Sequence, residues 1–208
     1  MSMAGTINAR SHVCAVIVSR IGDTLLVTPA LRALRAACVR LTVLAHPQRL
    51  DVLRSLEFID ELAAVTKHSA WWRGLRSAGR YDWAICWGRE PALVRFCVRV
   101  AQRSLAFDYP ELRDVQSETL VRVPVPAESS LHAVRERALL AEAAGVTVGD
   151  ARLAYRVSDE EQCAARDWLS RYVPAGAAPL VGLQPFSFPT KAHRDWPLER
   201  FAALARRL

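Results

Sequence analysis

Residues 13–34, V-C-A-V-I-V-S-R-I-G-D-T-L-L-V-T-P-A-L-R-A-L, constrain the fold more than any other stretch. Residues 13–18 form a short, valine-rich, almost wholly apolar run, the pattern of a strand buried on both faces. The run breaks at Ser19-Arg20-Ile21-Gly22-Asp23. Beyond it the apolar positions become Leu25, Leu26, Ala30, Ala33, Leu34 and Ala37, the stripe of a helix packed on a sheet. A strand, a tight polar turn and a helix predict the opening of a doubly wound α/β domain. Ligands in such domains bind outside the carboxyl ends of the strands. Asp23 stands at that end, which makes the turn the candidate active site. Gly22 is expected to let the backbone turn sharply and to leave room for a ligand. Thr28-Pro29 reads as a second helix start, with Thr28 capping and Pro29 at the first helical position.

Asp23 supports two readings. A carboxylate at a helix N-cap accepts backbone N–H groups and meets the positive end of the helix dipole. A carboxylate at the mouth of a strand crevice can instead serve as a general base toward a substrate hydroxyl. Arg20 beside it is either a surface arginine or a holder of an anionic group. The pattern counts strongly against a dinucleotide site in this half, because the turn has one glycine where G-x-G-x-x-G is needed and the second strand ends in His46 rather than an acid.

The following chain alternates strand and helix patterns. Strands are predicted at 40–45, 61–66, 81–87, 104–107 and 153–157, and helices at 48–56, 71–78, 91–100 and 131–144. Pro91 suits a first helical turn and Gly145 a C-cap. Residues 108–130, with Pro110, Pro124 and Pro126, read as a loop region. Trp71, Trp72 and Arg73 are of a type that suits an anionic membrane interface, although burial of the tryptophans under a loop is the stronger expectation. Ser158 opens another helix with Glu161 completing a capping box. Residues 180–183 are predicted as a strand and Pro197 begins a last helix. A lone strand and helix cannot bury their own apolar faces, so the chain is expected to hold one domain and the opening of a second. Between them, Q-P-F-S-F-P-T-K-A-H-R-D-W-P gathers donors just before a helix N-terminus, a natural place for phosphate.

Composition narrows the partners. No apolar run approaches the roughly 20 residues of a membrane span, and the N-terminus lacks a signal-peptide core, so a cytoplasmic protein is expected. The five cysteines form no C-x-x-C pair and read as reduced, buried thiols. The net charge of +7 suggests an anionic partner. No basic run is interleaved with aromatics as a nucleic-acid surface requires, so no nucleic acid is expected.

S-R-I-G-D-T-L-L-V-T-P-A-L-R-A-L, the helix H-A-V-R-E-R-A-L-L-A-E-A-A-G and the later H-R-D-W-P-L-E-R-F-A-A-L-A together resemble glycosyltransferase family 9, the ADP-heptose:lipopolysaccharide heptosyltransferases. The resemblance implies a GT-B fold of two Rossmann-like parallel-sheet domains. Residues 1–157 would form the acceptor-binding domain, and 158–208 a linker helix and the start of an incomplete nucleotide-sugar-binding domain. It implies Asp23 as the catalytic base and Ser187, Thr190, Lys191 and Arg194 at the donor diphosphate, while Arg20 and Gly22, by their place beside Asp23, are assigned to the acceptor. It further implies an inverting transfer of a heptose from an ADP-activated donor to an anionic glycolipid of the lipopolysaccharide-core type, with no cofactor or metal; peripheral contact with the inner membrane is expected from Trp71, Trp72 and Arg73 and the net charge. The runner-up is a truncated, inactive homologue serving as an acceptor-binding or assembly module. The loop departs from the family at Q-P-F-S, where H-P-G-A is usual.

Overall fold

A computed structural model describes residues 5–127, 131–173, 180–187, 193 and 195–208. The chain divides into two compact units, residues 1–157 and 158–208. The first unit begins with β1 (His12–Ile17), α1 (Ile21–Ala37), β2 (Arg40–Ala45), α2 (Leu50–Arg54), β3 (Glu61–Ala64) and α3 (Ala70–Arg76). It continues with β4 (Tyr81–Cys86), α4 (Pro91–Val100), β5 (Ala101–Phe107), β6 (Leu120–Val123) and α5 (Ala133–Ala143). All six strands are parallel in the order β3-β2-β1-β4-β5-β6, a Rossmann-like α/β sheet. That order places the topological switch point between β1 and β4. Both of these strands run through the core, with Val13, Ala15, Ile17, Ala84 and Ile85 buried.

The helix after the turn differs from its sequence reading. It starts at Ile21, is capped by Arg20 without a side-chain bond, and runs unbroken through Pro29. A proline there removes the N–H that would serve the Leu25 carbonyl. The Thr28 hydroxyl takes over that carbonyl, donating to it at 2.7 Å. The same oxygen accepts the Ala154 backbone N–H at 2.9 Å. Thr28 is fully buried, so it is an internal brace rather than a cap. Thr28→Val, which leaves both groups unpaired, should destabilise the unit by about 1–3 kcal/mol, measured from urea unfolding midpoints.

Residues 153–157 form no strand. The chain leading into them is tied to α1 by Arg32, which donates to the Asp150 and Arg152 carbonyls, and within them the Ala154 N–H donates to the Thr28 hydroxyl. Leu153, Tyr155 and Val157 consequently remain exposed. The sixth strand is β6, inside the stretch read as a loop. It pairs Ser104 with Leu120 through Phe107 with Val123. Trp71 and Trp72 are not under a loop either: both are exposed on α3. Four cysteines are buried free thiols as expected, whereas Cys163 is exposed.

Gly145 closes α5 at φ 83°, with the Thr6 side chain lying where a Cβ would stand. Only glycine suits that approach.

At the amino edge of the sheet, His12 contacts the Thr42 hydroxyl at 3.1 Å and stacks edge-on against Tyr81. Burial, then the charges of Arg40 and Arg80, hold its imidazole below the usual 6.5. An unfolded chain therefore takes this proton first as the pH drops. Stability should be lost as the pH falls through 6.5, and His12→Gln should flatten that part of a melting-temperature profile.

The second unit contains α6 (Asp159–Ser170) and α7 (Leu198–Ala205). Its first helix carries the predicted capping box. The Glu161 N–H donates to the Ser158 hydroxyl at 3.1 Å, and the Ser158 N–H to the Glu161 carboxylate at 2.8 Å. Residues 180–183 are not a strand. A strand exists only through pairing, and the described residues of this unit offer no other strand to pair with. No residue of α6 or α7 is buried. Among the described residues, no helix is long and apolar enough to cross a membrane.

Candidate functional site

The Asp23 turn lies where β1 delivers it, at the carboxyl edge of the sheet beside the switch point. Asp23 is the third residue of α1, and no side chain caps that helix. The N-cap reading of Asp23 is thereby corrected. A carboxylate in the first turn still gains from the helix dipole, but it is left available. The turn is instead fastened by Thr24, whose N–H and hydroxyl both reach the Arg20 carbonyl at 2.9 Å. Its hydroxyl also meets that of Ser19 at 3.3 Å.

A crevice of about 280 Å³ opens beside Asp23. Val18 and Ser19 bring in the end of β1, Trp87, Gly88 and Arg89 the end of β4, Tyr109 the end of β5, and Arg137 enters from α5. The Arg137 guanidinium stands 3.6 Å from the Asp23 carboxylate, with Arg137 18% and Asp23 39% exposed. Charge attraction at that range is strengthened by partial burial. Arg137 is itself located twice. Its carbonyl accepts the Trp87 indole N–H at 2.8 Å, and its guanidinium meets Glu136 at 3.3 Å. Across the crevice, Arg89 lies over the Tyr109 ring at 4.2 Å and pairs with Glu111 at 3.6 Å. The result is a partly exposed carboxylate paired with one guanidinium, with a second guanidinium lining the same crevice. It can accept a proton from a hydroxyl and hold an anionic group next to it.

Two further sequence expectations change here. Gly22 has no positive φ, and a Cβ added there would meet nothing within 4 Å. The backbone does not require glycine; what the position provides is open space above the first turn. Arg20 is exposed, and among the described residues no ion pair engages it, unlike Arg137. In the second unit, the Ser187 N–H donates to the Asp195 carboxylate at 3.1 Å. Thr190, Lys191 and Arg194 lie outside the described residues. Among the described residues, no cluster of three or more metal-ligating side chains could hold a metal.

Arg137, Arg89, Trp87 and Tyr109 were not singled out from sequence. The available signal was position: Trp87 ends one strand pattern and Tyr109 lies two residues beyond another, at the end where ligands bind. A second depression of about 300 Å³ sits at the amino edge of the sheet, around Asn8, Asp82 and Arg103. It shares no residue with the Asp23 turn, and the fold rule favours the carboxyl edge.

No family model and no curated protein matches the chain. Solved structures do. A glycosyl transferase family 9 protein from Veillonella parvula superposes with a TM-score of 0.79 at 20% identity, covering 97% of this chain and 61% of its own. The E. coli heptosyltransferase WaaC with ADP gives 0.63 at 14% identity, covering 94% and 64%. The E. coli ADP-heptose lps heptosyltransferase II gives 0.66 at 16% identity, covering 94% and 60%. The chain thus has the fold of these proteins and spans about three fifths of their length.

Proposed function

We propose that the chain belongs with glycosyltransferase family 9 and carries the acceptor-activating half of an inverting sugar transferase. The observation that carries this reading is the Asp23 carboxylate, ion-paired to Arg137 in a crevice at the β1–β4 switch point, on a fold shared with heptosyltransferases. Asp23 removes the proton from an acceptor hydroxyl as its oxygen attacks the anomeric carbon of an ADP-activated heptose. The bond to the nucleotide breaks and the configuration inverts. Arg137 holds Asp23 facing the crevice, and Arg89 supplies positive charge for an anionic acceptor of the lipopolysaccharide-core type. Ser187, Thr190, Lys191 and Arg194 are assigned to the donor diphosphate on the strength of the sequence resemblance, where cations offset the charge of the leaving group. The domain roles follow the same resemblance: acceptor on residues 1–157, nucleotide-sugar on 158–208. The reaction is placed at the cytoplasmic face of a membrane.

A second reading, an acceptor-binding module without transfer, has one observation in its favour: the crevice is built wholly from residues of the first unit. Incubation with ADP-heptose and a lipopolysaccharide-core acceptor, followed by mass spectrometry of the glycan, separates the two. Addition of one heptose supports transfer. Acceptor binding without addition, together with no heat on titrating ADP, supports the module.

A further inference from the structure

Helix α3 is turned inside out by the usual standard. Its small residues Ala70 and Gly74 face inward and are buried, Gly74 packing against Phe96 and Arg99 of α4. Its large residues face solvent, Trp71 at 54%, Trp72 at 63% and Leu75 at 51% exposure. The two indoles stand edge to face with centroids 4.4 Å apart, forming one contiguous apolar surface. Lys67, Arg73 and Arg76 are exposed around it, and among the described residues no ion pair or side-chain hydrogen bond engages them. Residues 65–80 contain no aspartate or glutamate. Scattered apolar residues on a surface need no explanation, but two adjacent exposed tryptophans with unneutralised cations do.

We infer that this face of α3 seats on a lipid bilayer bearing anionic headgroups. The chemistry is complementary on both counts. Indoles partition to the headgroup level with their apolar bodies below it, and guanidiniums and ammonium groups meet the negative surface. Topology gives the docking a direction. α3 follows the carboxyl end of β3, so Trp71 and Trp72 in its first turn lie at the sheet edge that also carries Asp23. β3 and β1 are separated only by β2, roughly 10 Å at the usual strand spacing. A bilayer touching α3 would therefore present lipid-borne hydroxyls on the Asp23 side. That last consequence rests on the transferase reading, whereas the docking does not.

The test is flotation of the 208-residue chain with vesicles of phosphatidylethanolamine and phosphatidylglycerol, against vesicles of phosphatidylcholine alone. Neither set contains donor or acceptor, so docking and transfer can fail independently. The expected result is binding to the anionic vesicles, weakened by salt. Trp71→Ser/Trp72→Ser should lower the partition coefficient by about tenfold or more. Arg73→Gln and Arg76→Gln should each lower it by about fivefold on anionic vesicles only. Unchanged melting temperatures verify that the variants are folded. Equal flotation of wild type and the double tryptophan variant overturns the inference. So does absence of binding, or a loss of self-association in that variant with vesicle binding intact.

Discussion

On the proposed transferase reading, Asp23→Asn is expected to lower the rate of sugar transfer by about 10²- to 10⁴-fold, the usual contribution of a positioned general base, with the chain still folded. Asparagine keeps the shape and the polar contact toward Arg137 and removes only the proton acceptor. The folded state should survive because Asp23 caps nothing. Arg20 occupies the N-cap, and Thr24 secures the turn through the Arg20 carbonyl. The cost to stability should stay within about 1 kcal/mol, the range for a partly exposed ion pair. Initial rates with ADP-heptose and unfolding midpoints, taken on the same preparations, provide the comparison. Full activity in this variant would remove Asp23 from the chemistry. Unfolding would return it to a structural role.

The largest stability effect is expected at Phe107→Ala, about 3–5 kcal/mol by denaturant unfolding. Phe107 is fully buried near the end of β5, and its partner in register is Val123 of β6. Removal of the ring leaves a cavity that a parallel sheet, held by hydrogen bonds on both sides, cannot collapse. The ring also packs on Tyr109 at 5.7 Å, and Tyr109 carries Arg89 on its other contact at 4.2 Å. The crevice wall should therefore loosen along with the core, seen as weaker acceptor binding by the folded fraction. Trp72→Ala provides the contrast. That side chain is larger but 63% exposed, and its loss should change stability by no more than about 0.5 kcal/mol.

Elements whose causes are local could be read from sequence. The β1 run, the stripe of α1, Pro91 at the start of α4, Gly145 after α5 and the Ser158–Glu161 capping box each depend on residues within a few positions of one another. Thr28-Pro29 shows the boundary. The local rule asked for a helix start, and a hydroxyl bonding both the Leu25 carbonyl and the distant Ala154 N–H made a continuous helix possible. Residues 120–123 and 153–157 show it again. Both are short and alternating, but a strand requires a vacant sheet edge. β5 offered one to the first, while the Thr28 hydroxyl of α1 took the Ala154 N–H of the second.

By itself, the sequence determined that a parallel α/β domain opens this chain and that Asp23 stands at the end of its first strand. Tertiary structure alone decided what surrounds that carboxylate. Packing of α5 against α1 brought in Arg137, the switch between β1 and β4 opened the crevice, and the packing of α3 on α4 through Gly74 left two tryptophans outside. The reason is physical. Periodicity and capping are energies of neighbouring residues, whereas an ion pair between helices far apart in the chain exists only once the sheet has fixed where each helix lies.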